Sequence, residues 1–155
     1  MSYIDLYLTK PITIQHGINK ESDVYMFGVP FDSTCSYKPG TRFGPNSLRD
    51  AFVNIEINST RYKTELEDLT IEDLGNVKFT VNPSFMLDMV GKVTKDIIAK
   101  NKQTIILGGE HLITFGTFMS MPNDTPLIIF DAHYDLRDEF TDTKFSHATF
   151  LRRII

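Results

Sequence analysis

Short apolar runs, separated by polar stretches and by proline or glycine, give this chain its most regular feature. A run of four to six apolar residues bounded by turn-forming residues predicts a buried strand. Such runs predict strands at residues 24–29, 104–107 and 127–130, and a shorter, more polar strand is predicted at 71–75. Before residue 24 the apolar pieces are too short to support a prediction.

Helices are predicted between these strands. Asn82 and Pro83 are typical of a helix cap and a first helical residue. Apolar residues then recur at the spacing of a core-facing stripe, namely Met86, Val90, Val93 and Ile97. Shorter helices are predicted at 45–52, which opens on a proline, and at 112–121. The alternation of strands and helices predicts one α/β domain over residues 1–155, with a mainly parallel sheet.

Composition and charge exclude several classes of protein. The chain is 41% hydrophobic and 23% charged, which is ordinary for a globular protein. Its net charge of −4 gives no reason to expect nucleic acid as a partner. No stretch approaches the roughly 20 apolar residues of a membrane span, and the start lacks the features of a signal peptide. With Cys35 as its single cysteine, the chain suits a reducing compartment, and we expect it to be cytoplasmic.

Candidate chemistry lies at the end of the predicted strand 127–130. Asp131, His133 and Asp135 follow it at alternate positions, which share one face for as long as the chain stays extended. Two carboxylates and an imidazole in one small volume are costly to bury without a positive charge between them. We therefore expect a divalent cation. The alternative is a solvated acidic strand end with a chance histidine.

Other strand ends add to this candidate site. In open α/β sheets, sites lie beyond the carboxyl ends of the strands, and His111 follows the predicted strand 104–107 after Gly108 and Gly109. His147 comes soon after Asp135, whereas His16 stands apart and is interpreted as a surface residue. Imidazole and carboxylate donors without thiolate favour Mn²⁺ or a related ion over structural zinc. The sequence has no phosphate-binding loop of the Gly-x-x-x-x-Gly-Lys type and no Gly-x-Ser-x-Gly nucleophile elbow.

Several motifs together resemble the ureohydrolases, the family of arginase and agmatinase. They are Gly-Gly-Glu-His at 108–111, Asp-Ala-His-Tyr-Asp at 131–135 and Ser-His-Ala-Thr at 146–149. The segments Gly-Val-Pro-Phe-Asp at 28–32 and Lys-Pro-Gly-Thr-Arg-Phe-Gly-Pro at 38–45 are similar to the agmatinase branch in particular. The resemblance implies a three-layer α/β arginase-like fold and a site for two Mn²⁺ ions.

The same resemblance implies roles for individual residues. The implied metal ligands are His111, Asp131, His133 and Asp135. Asp131 is implied to bridge the two ions, and His147 matches the histidine that passes protons to the leaving amine. The chain departs from the family pattern at Glu110, where aspartate is commoner, and at Ala148, where glycine is common. Neither of these two is an implied ligand.

The implied reaction is hydrolysis of a guanidino C–N bond to urea and an amine. The agmatinase-like segment favours agmatine as substrate and putrescine as product, within polyamine biosynthesis. Arginase, guanidinobutyrase and formiminoglutamase activities are the alternatives inside the family. From another class, a truncated non-catalytic metal-binding or interaction protein is the second hypothesis. A metallophosphoesterase is the third, but the Gly-Asp and Gly-Asn-His segments it needs are absent.

One family segment is missing from this sequence. The ureohydrolases carry a later Asp-x-Asp-x-x-Asp-Pro motif that supplies further carboxylates, and it does not occur here. We therefore expect an incomplete arginase-like fold that corresponds to a first half. Alone, it should bind about one Mn²⁺ per chain loosely, because two dications with few anionic ligands repel each other. An exposed sheet edge predicts self-association, and so a homo-oligomer.

Overall fold

The computed structural model describes residues 2–9, 22–56, 58–65 and 70–155. The helices are α1 (Tyr3–Tyr7), α2 (Gly44–Phe52), α3 (Pro83–Ala99), α4 (Ile113–Phe118) and α5 (Phe150–Ile154), with a 3₁₀ turn at Thr41–Phe43. The strands are β1 (Leu8–Thr9), β2 (Val24–Val29), β3 (Asn58–Ser59), β4 (Thr64–Glu65), β5 (Ile71–Val77) and β6 (Gln103–Gly108). No helix among these residues is both long and apolar enough to cross a membrane.

The central sheet has the strand order β1-β5-β2-β6. Strand β2 is parallel to β5 on one side and to β6 on the other, and only β1 runs antiparallel. Strands β3 and β4 form a separate two-stranded pair. The predicted mainly parallel sheet is therefore confirmed.

Helices cover the two faces of this sheet. The predicted stripe of α3 is fully buried in one core with Tyr25, Phe27 and Val29 of β2. On the opposite face α2 comes so close to β2 that a Cβ on Gly28 would overlap Pro45 at 2.7 Å. Burial of every residue of β2 follows from this double cover. The layers are helix, sheet and helix, as the resemblance implied.

A buried ion pair fixes α2 to the sheet. Arg49 donates to both carboxylate oxygens of Asp73, at 2.6 and 2.8 Å, and to Oδ1 of Asn76 at 2.6 Å. The register between β2 and β5 shifts between Met26 and Gly28, which is typical of a bulge, and Gly75 has φ +85° there. The extra residue turns Asp73 and Asn76 to the same face, so one guanidinium reaches both.

The order of the strands sets where a site can form. The chain leaves β2, returns as β5 on one side, and then returns as β6 on the other, with α2 and α3 as the crossovers. Neighbouring loops therefore leave the carboxyl ends of β2 and β6 in opposite directions. In open α/β sheets the crevice at such a topological switch point is where ligands bind.

The predicted buried strand at 127–130 is wrong in the described structure. These residues are assigned to no strand, and their exposure alternates: Ile128 is 79% exposed and Phe130 97% exposed, whereas Leu127 and Ile129 are half-buried. A strand needs a neighbour to pair with, and β6 is the edge of the described sheet. The predicted helix at 112–121 is shorter than expected, and the short helices α1 and α5 were not predicted.

Candidate metal centre

The loop after β6 is held against the end of β2. The backbone N–H of Gly109 donates to the carbonyl of Val29 at 3.3 Å, and that of Glu110 donates to the carbonyl of Phe31 at 2.8 Å. A Cβ on Gly109 would collide with the Phe31 carbonyl oxygen. Glycine at this position therefore allows the close approach of two backbones at the switch point.

Three of the predicted ligands lie together at this place. One donor atom each of His111, Asp131 and Asp135 lies within 4.8 Å of the others. Nδ1 of His111 is 2.7 Å from Oδ2 of Asp131 and 3.9 Å from Oδ2 of Asp135. An imidazole and two carboxylates therefore converge from segments that are 20 residues or more apart in sequence.

The fourth predicted ligand, His133, lies on the other side of Asp131. Its Nδ1 is 3.2 Å from Oδ1 of Asp131, and its backbone N–H donates to the same oxygen at 2.8 Å. The His133 side chain is 80% exposed. Asp131 thus turns one oxygen toward His111 and the other toward His133.

The convergence of Asp131 and Asp135 has a different cause from the one predicted. Alternation along a strand was expected to bring them to one face, but residues 131–135 form no strand. Asp135 instead adopts φ +49°, in the left-handed region that aspartate tolerates better than most residues. The backbone N–H of Arg152 in the middle of α5 donates to the Asp135 carbonyl at 3.4 Å. A left-handed backbone conformation at Asp135, bonded to α5, therefore places the second carboxylate.

The two carboxylates differ in their electrostatics. The hydrogen bond from the backbone N–H of His133 and the neighbouring His111 imidazole hold the pKa of Asp131 below its ordinary value. Burial, and then the negative charge of Asp131, raise the pKa of Asp135. Two charged carboxylates repel each other, and the repulsion is stronger where they are partly buried. A cation between them removes this repulsion.

The donor set fits a divalent metal ion. Carboxylate oxygens and a neutral imidazole nitrogen are donors that Mn²⁺ accepts, and the free thiol of Cys35 is not part of the group. The mutual repulsion that raises the pKa of Asp135 is the cost that such an ion would remove. Three protein donors from one side also leave positions open for water or substrate.

His147 lies beside this group rather than in it. Its ring meets Phe140 edge to face, with centroids 5.2 Å apart. Its Nδ1 atom is buried and has no hydrogen-bond partner among the described residues. The histidine is close enough to Asp135 to contribute to lowering the pKa of that carboxyl. It is not one of the three clustered donors, and its role as a proton carrier stays a prediction.

The long loop after β2 is tied down by one acid. The buried Asp32 carboxylate accepts hydrogen bonds from the backbone N–H of Gly40 at 2.7 Å and from Nε of Arg42 at 2.6 Å. The Arg42 guanidinium holds the pKa of Asp32 below its ordinary value. A segment that reads as irregular in sequence is therefore closed into a defined loop beside the candidate centre.

Sequence analysis missed two residues that support the site. Phe150, which is fully buried, stacks on the His111 ring with centroids 4.1 Å apart. Thr34 links the loop after β2 to the loop after β6 through Glu110. No periodicity or motif marks Thr34, because its partners are distant in sequence. His16 lies outside the described residues.

The fold and the donor set together define an α/β protein with a candidate metal centre at its switch point. The sequence profile described as the arginase family matches residues 22–155. The chain belongs to the arginase family, and its fold is arginase-like. The ureohydrolase resemblance of its motifs is confirmed at that level.

Individual relatives give the range of this similarity. The agmatinase of Bacillus subtilis is 36% identical over 157 residues, which cover 99% of this chain and 54% of that protein. The N(1)-aminopropylagmatine ureohydrolase of Thermococcus kodakarensis shows the same identity and the same coverage. The solved structure of the agmatine ureohydrolase of Thermoplasma volcanium has a TM-score of 0.85 at 34% identity, covering 97% of this chain and 51% of that one. The chain thus spans about half the length of these relatives.

Proposed function

We propose that this chain carries part of the active site of an agmatinase-like ureohydrolase. The observation that carries the proposal is the convergence of His111, Asp131 and Asp135 at the switch point of an arginase-family fold. The reaction adds the oxygen of water to the guanidino carbon and breaks the bond from that carbon to the alkyl-bearing nitrogen. Urea is released, and the nitrogen leaves with a proton as an amine.

The geometry of Asp131 supports two metal positions. Its Oδ2 atom, with His111 and Asp135, would hold one Mn²⁺. Its Oδ1 atom, with the exposed His133, would hold the second. The metal, when bound, supplies the Lewis acidity that makes water a nucleophile near neutral pH. The second position has fewer protein donors, so it depends on ligands that these residues do not provide.

His147 is proposed as the residue that moves the proton. The leaving nitrogen must gain a proton as its bond to carbon breaks, and an imidazole is suited to this near neutral pH. The ring packs against Phe140 and lies near Asp135. The protonated imidazole is the form that donates.

Agmatine is the proposed substrate. The loop after β2 has an agmatinase-like sequence and is closed by Asp32 and Arg42 next to the candidate centre. Agmatine is cationic, so binding it requires a carboxylate that pairs with its positive charge. The Thermococcus kodakarensis relative, which is as identical to this chain as the Bacillus subtilis agmatinase is, is named for a larger guanidine, N(1)-aminopropylagmatine. The length and chemistry of the amine arm therefore decide between substrates.

Activity is proposed to require a polypeptide that covers the β6 edge. Strand β6 is the edge of the described sheet, and Ile105 on it is 40% exposed. Ile128 and Phe130, in the segment that reads as a further strand in sequence, are 79% and 97% exposed. The chain spans about half of its relatives, so sequence corresponding to their remaining half is the proposed occupant. We propose in addition that the complete protein is cytoplasmic, acts in polyamine biosynthesis and forms homo-oligomers.

The proposal is tested by joining this chain to the rest of a relative. Residues 1–155 are fused to the part of Bacillus subtilis agmatinase that they do not match, and folding is checked by circular dichroism. Urea release is then measured with agmatine, N(1)-aminopropylagmatine, arginine and guanidinobutyrate, with and without Mn²⁺. We expect Mn²⁺-dependent urea from agmatine, and loss of it in the Asp131→Asn fusion. A folded fusion that releases no urea from any of the four would contradict the proposal.

A further inference from the structure

Glu110 is a buried carboxylate that the proposed mechanism does not use. It follows the two glycines after β6 and is 4% exposed. Its Oε2 atom accepts a hydrogen bond from the backbone N–H of Thr34 at 2.8 Å, and its Oε1 atom accepts one from the Thr34 hydroxyl. An ionised carboxylate can only accept hydrogen bonds, and Thr34 supplies both of these donors.

The Thr34 hydroxyl passes this link on to the segment that carries His147. Its oxygen accepts a hydrogen bond from the backbone N–H of His147 at 3.1 Å. A hydroxyl has one proton to donate and lone pairs with which to accept. Because the proton is used toward Glu110, the lone pairs face His147. Three loops are thus joined in one line from Glu110 through Thr34 to His147.

The segment around His147 is also held by hydrogen bonds within its own turn. The Thr149 hydroxyl accepts from the backbone N–H of Ser146 at 2.9 Å and donates to the carbonyl of Lys144 at 2.8 Å. Ser146 and Thr149 are fully buried. These bonds shape the turn but do not attach it to the loop after β2.

Among the described residues, no hydrogen bond orients the imidazole of His147. Its Nδ1 is buried without a partner there, and the ring packs against Phe140. The position of the ring therefore follows from where its backbone is anchored. Outside the turn, the Thr34 hydroxyl accepts from the His147 N–H, and the neighbouring Ala148 carbonyl accepts from the Arg137 N–H at 3.3 Å. Of the two, the Thr34 hydroxyl is the one bonded to His147 itself.

We propose that Glu110, acting through Thr34, is a positioning residue for His147. Glu110 and Thr34 together fix the distance of the His147 turn from His111, which is next to Glu110 in the chain. They thereby fix its distance from the candidate metal centre. The catalytic meaning of this link rests on the proposed function, but the link itself is independent of any metal. A role limited to supporting the loop after β2 would leave His147 unaffected.

The test follows His147 by nuclear magnetic resonance in the full 155-residue chain. Thr34→Val keeps the shape of the side chain and the backbone donor to Glu110, but it removes the hydroxyl, which is both the second donor to Glu110 and the acceptor for His147. We expect the His147 amide to exchange with solvent at least about tenfold faster, and its ring signals to shift. Thr34→Ser keeps the hydroxyl and should restore both readings. If Thr34→Val does not fold, Glu110→Gln carries the test, since the NH₂ group that replaces one carboxylate oxygen cannot accept the hydrogen bond from the Thr34 donor that faces it.

Controls separate this inference from the proposed function. Thr117→Val is the matched control, because the Thr117 hydroxyl donates to the Ile113 carbonyl within α4 and should not affect His147. Mn²⁺ affinity of Thr34→Val should stay within about threefold of wild type, because Thr34 touches none of the predicted ligands. Unchanged His147 amide and ring signals in both Thr34→Val and Glu110→Gln would overturn the inference even if Mn²⁺ binds. Failure of Mn²⁺ to bind wild type would contradict only the proposed function.

Discussion

Nδ1 of His111 lies 2.7 Å from Oδ2 of Asp131, although the segments that lead to these two residues do not pair as strands. The contact is made by loops, and the loops are positioned by the end of β2 and the start of α5. The candidate metal centre therefore depends on how those loops are anchored as much as on its donor atoms.

Changes at Asp131 and His111 should have unequal effects on metal binding. In the fusion with the rest of a relative, Asp131→Asn should weaken both ions, because Asp131 faces His111 with one oxygen and His133 with the other. His111→Ala should weaken chiefly one ion. Manganese content after dialysis, measured by atomic absorption, checks this. Equal loss of both ions in His111→Ala would remove the argument for a bridging Asp131.

His147→Ala should separate catalysis from metal binding. The ring lies beside the candidate centre and not among the clustered donors. Mn²⁺ binding should stay near wild type, while turnover of agmatine by the fusion falls by about 10²–10⁴-fold, the usual contribution of general acid–base help. Isothermal titration and urea release give the two values. Loss of Mn²⁺ binding would make His147 a ligand or a structural support.

The buried ion pair between Arg49 and Asp73 should contribute more to the free energy of unfolding than an exposed ion pair does. Arg49→Met leaves Asp73 buried and unpaired, and removing one partner of a buried pair costs about 3–5 kcal/mol of unfolding free energy. Lys92→Met is the matched control, since Lys92 pairs with Asp88 at an exposed i, i+4 position. That pair should be worth less than about 1 kcal/mol. Urea unfolding by circular dichroism compares them, and equal losses would show that burial does not matter here.

Glu72 should make stability depend on pH. It is 1% exposed, and neither carboxylate oxygen has a hydrogen-bond partner among the described residues. Burial raises its pKa above the usual 4.5 in the folded state. The folded state then holds the proton more tightly than the unfolded state does. The resulting stabilisation is complete below the usual pKa and is lost as pH rises through the folded-state pKa.

The matched variant for this effect is Glu72→Gln, which has no titrating proton. We expect it to be more stable than wild type at pH 7 and to lose that advantage as the pH falls through the raised folded-state pKa toward 4.5. Thermal unfolding at several pH values measures the difference. A constant difference across the pH range would show that Glu72 does not titrate differently in the folded chain.

The sequence predicts those parts of the fold that local signals determine. Strand β2 has the predicted bounds, and α3 begins at its Asn82 cap, where Oδ1 accepts from the Phe85 N–H at 3.0 Å. These features depend on neighbouring residues or on a continuous apolar stripe. Residues 127–130 have the composition of a buried strand, but strand formation needs a pairing partner, which composition does not report.

In the candidate site, too, some features follow from the local sequence and others depend on tertiary contacts. Motif spacing identifies His111, Asp131 and Asp135 as neighbours, and the structure brings them together. The left-handed backbone at Asp135 and the stacking of Phe150 on His111 are tertiary features without a sequence pattern. The closeness of Asp135 to Asp131 could be predicted, because strand alternation and the left-handed backbone at Asp135 give the same convergence by different routes.

The central claim is that these loops form a metal centre, and Mn²⁺ binding to the 155-residue chain tests it most directly. Free Mn²⁺ is followed by electron paramagnetic resonance while protein is titrated in, for wild type and for Asp131→Asn. Within the part of the chain that the structure describes, only the position of His111, Asp131 and Asp135 has three protein donors, so we predict about one Mn²⁺ per wild-type chain, bound weakly. Asp131→Asn should abolish this binding. No binding to the wild-type chain, or equal binding to both proteins, would contradict the account.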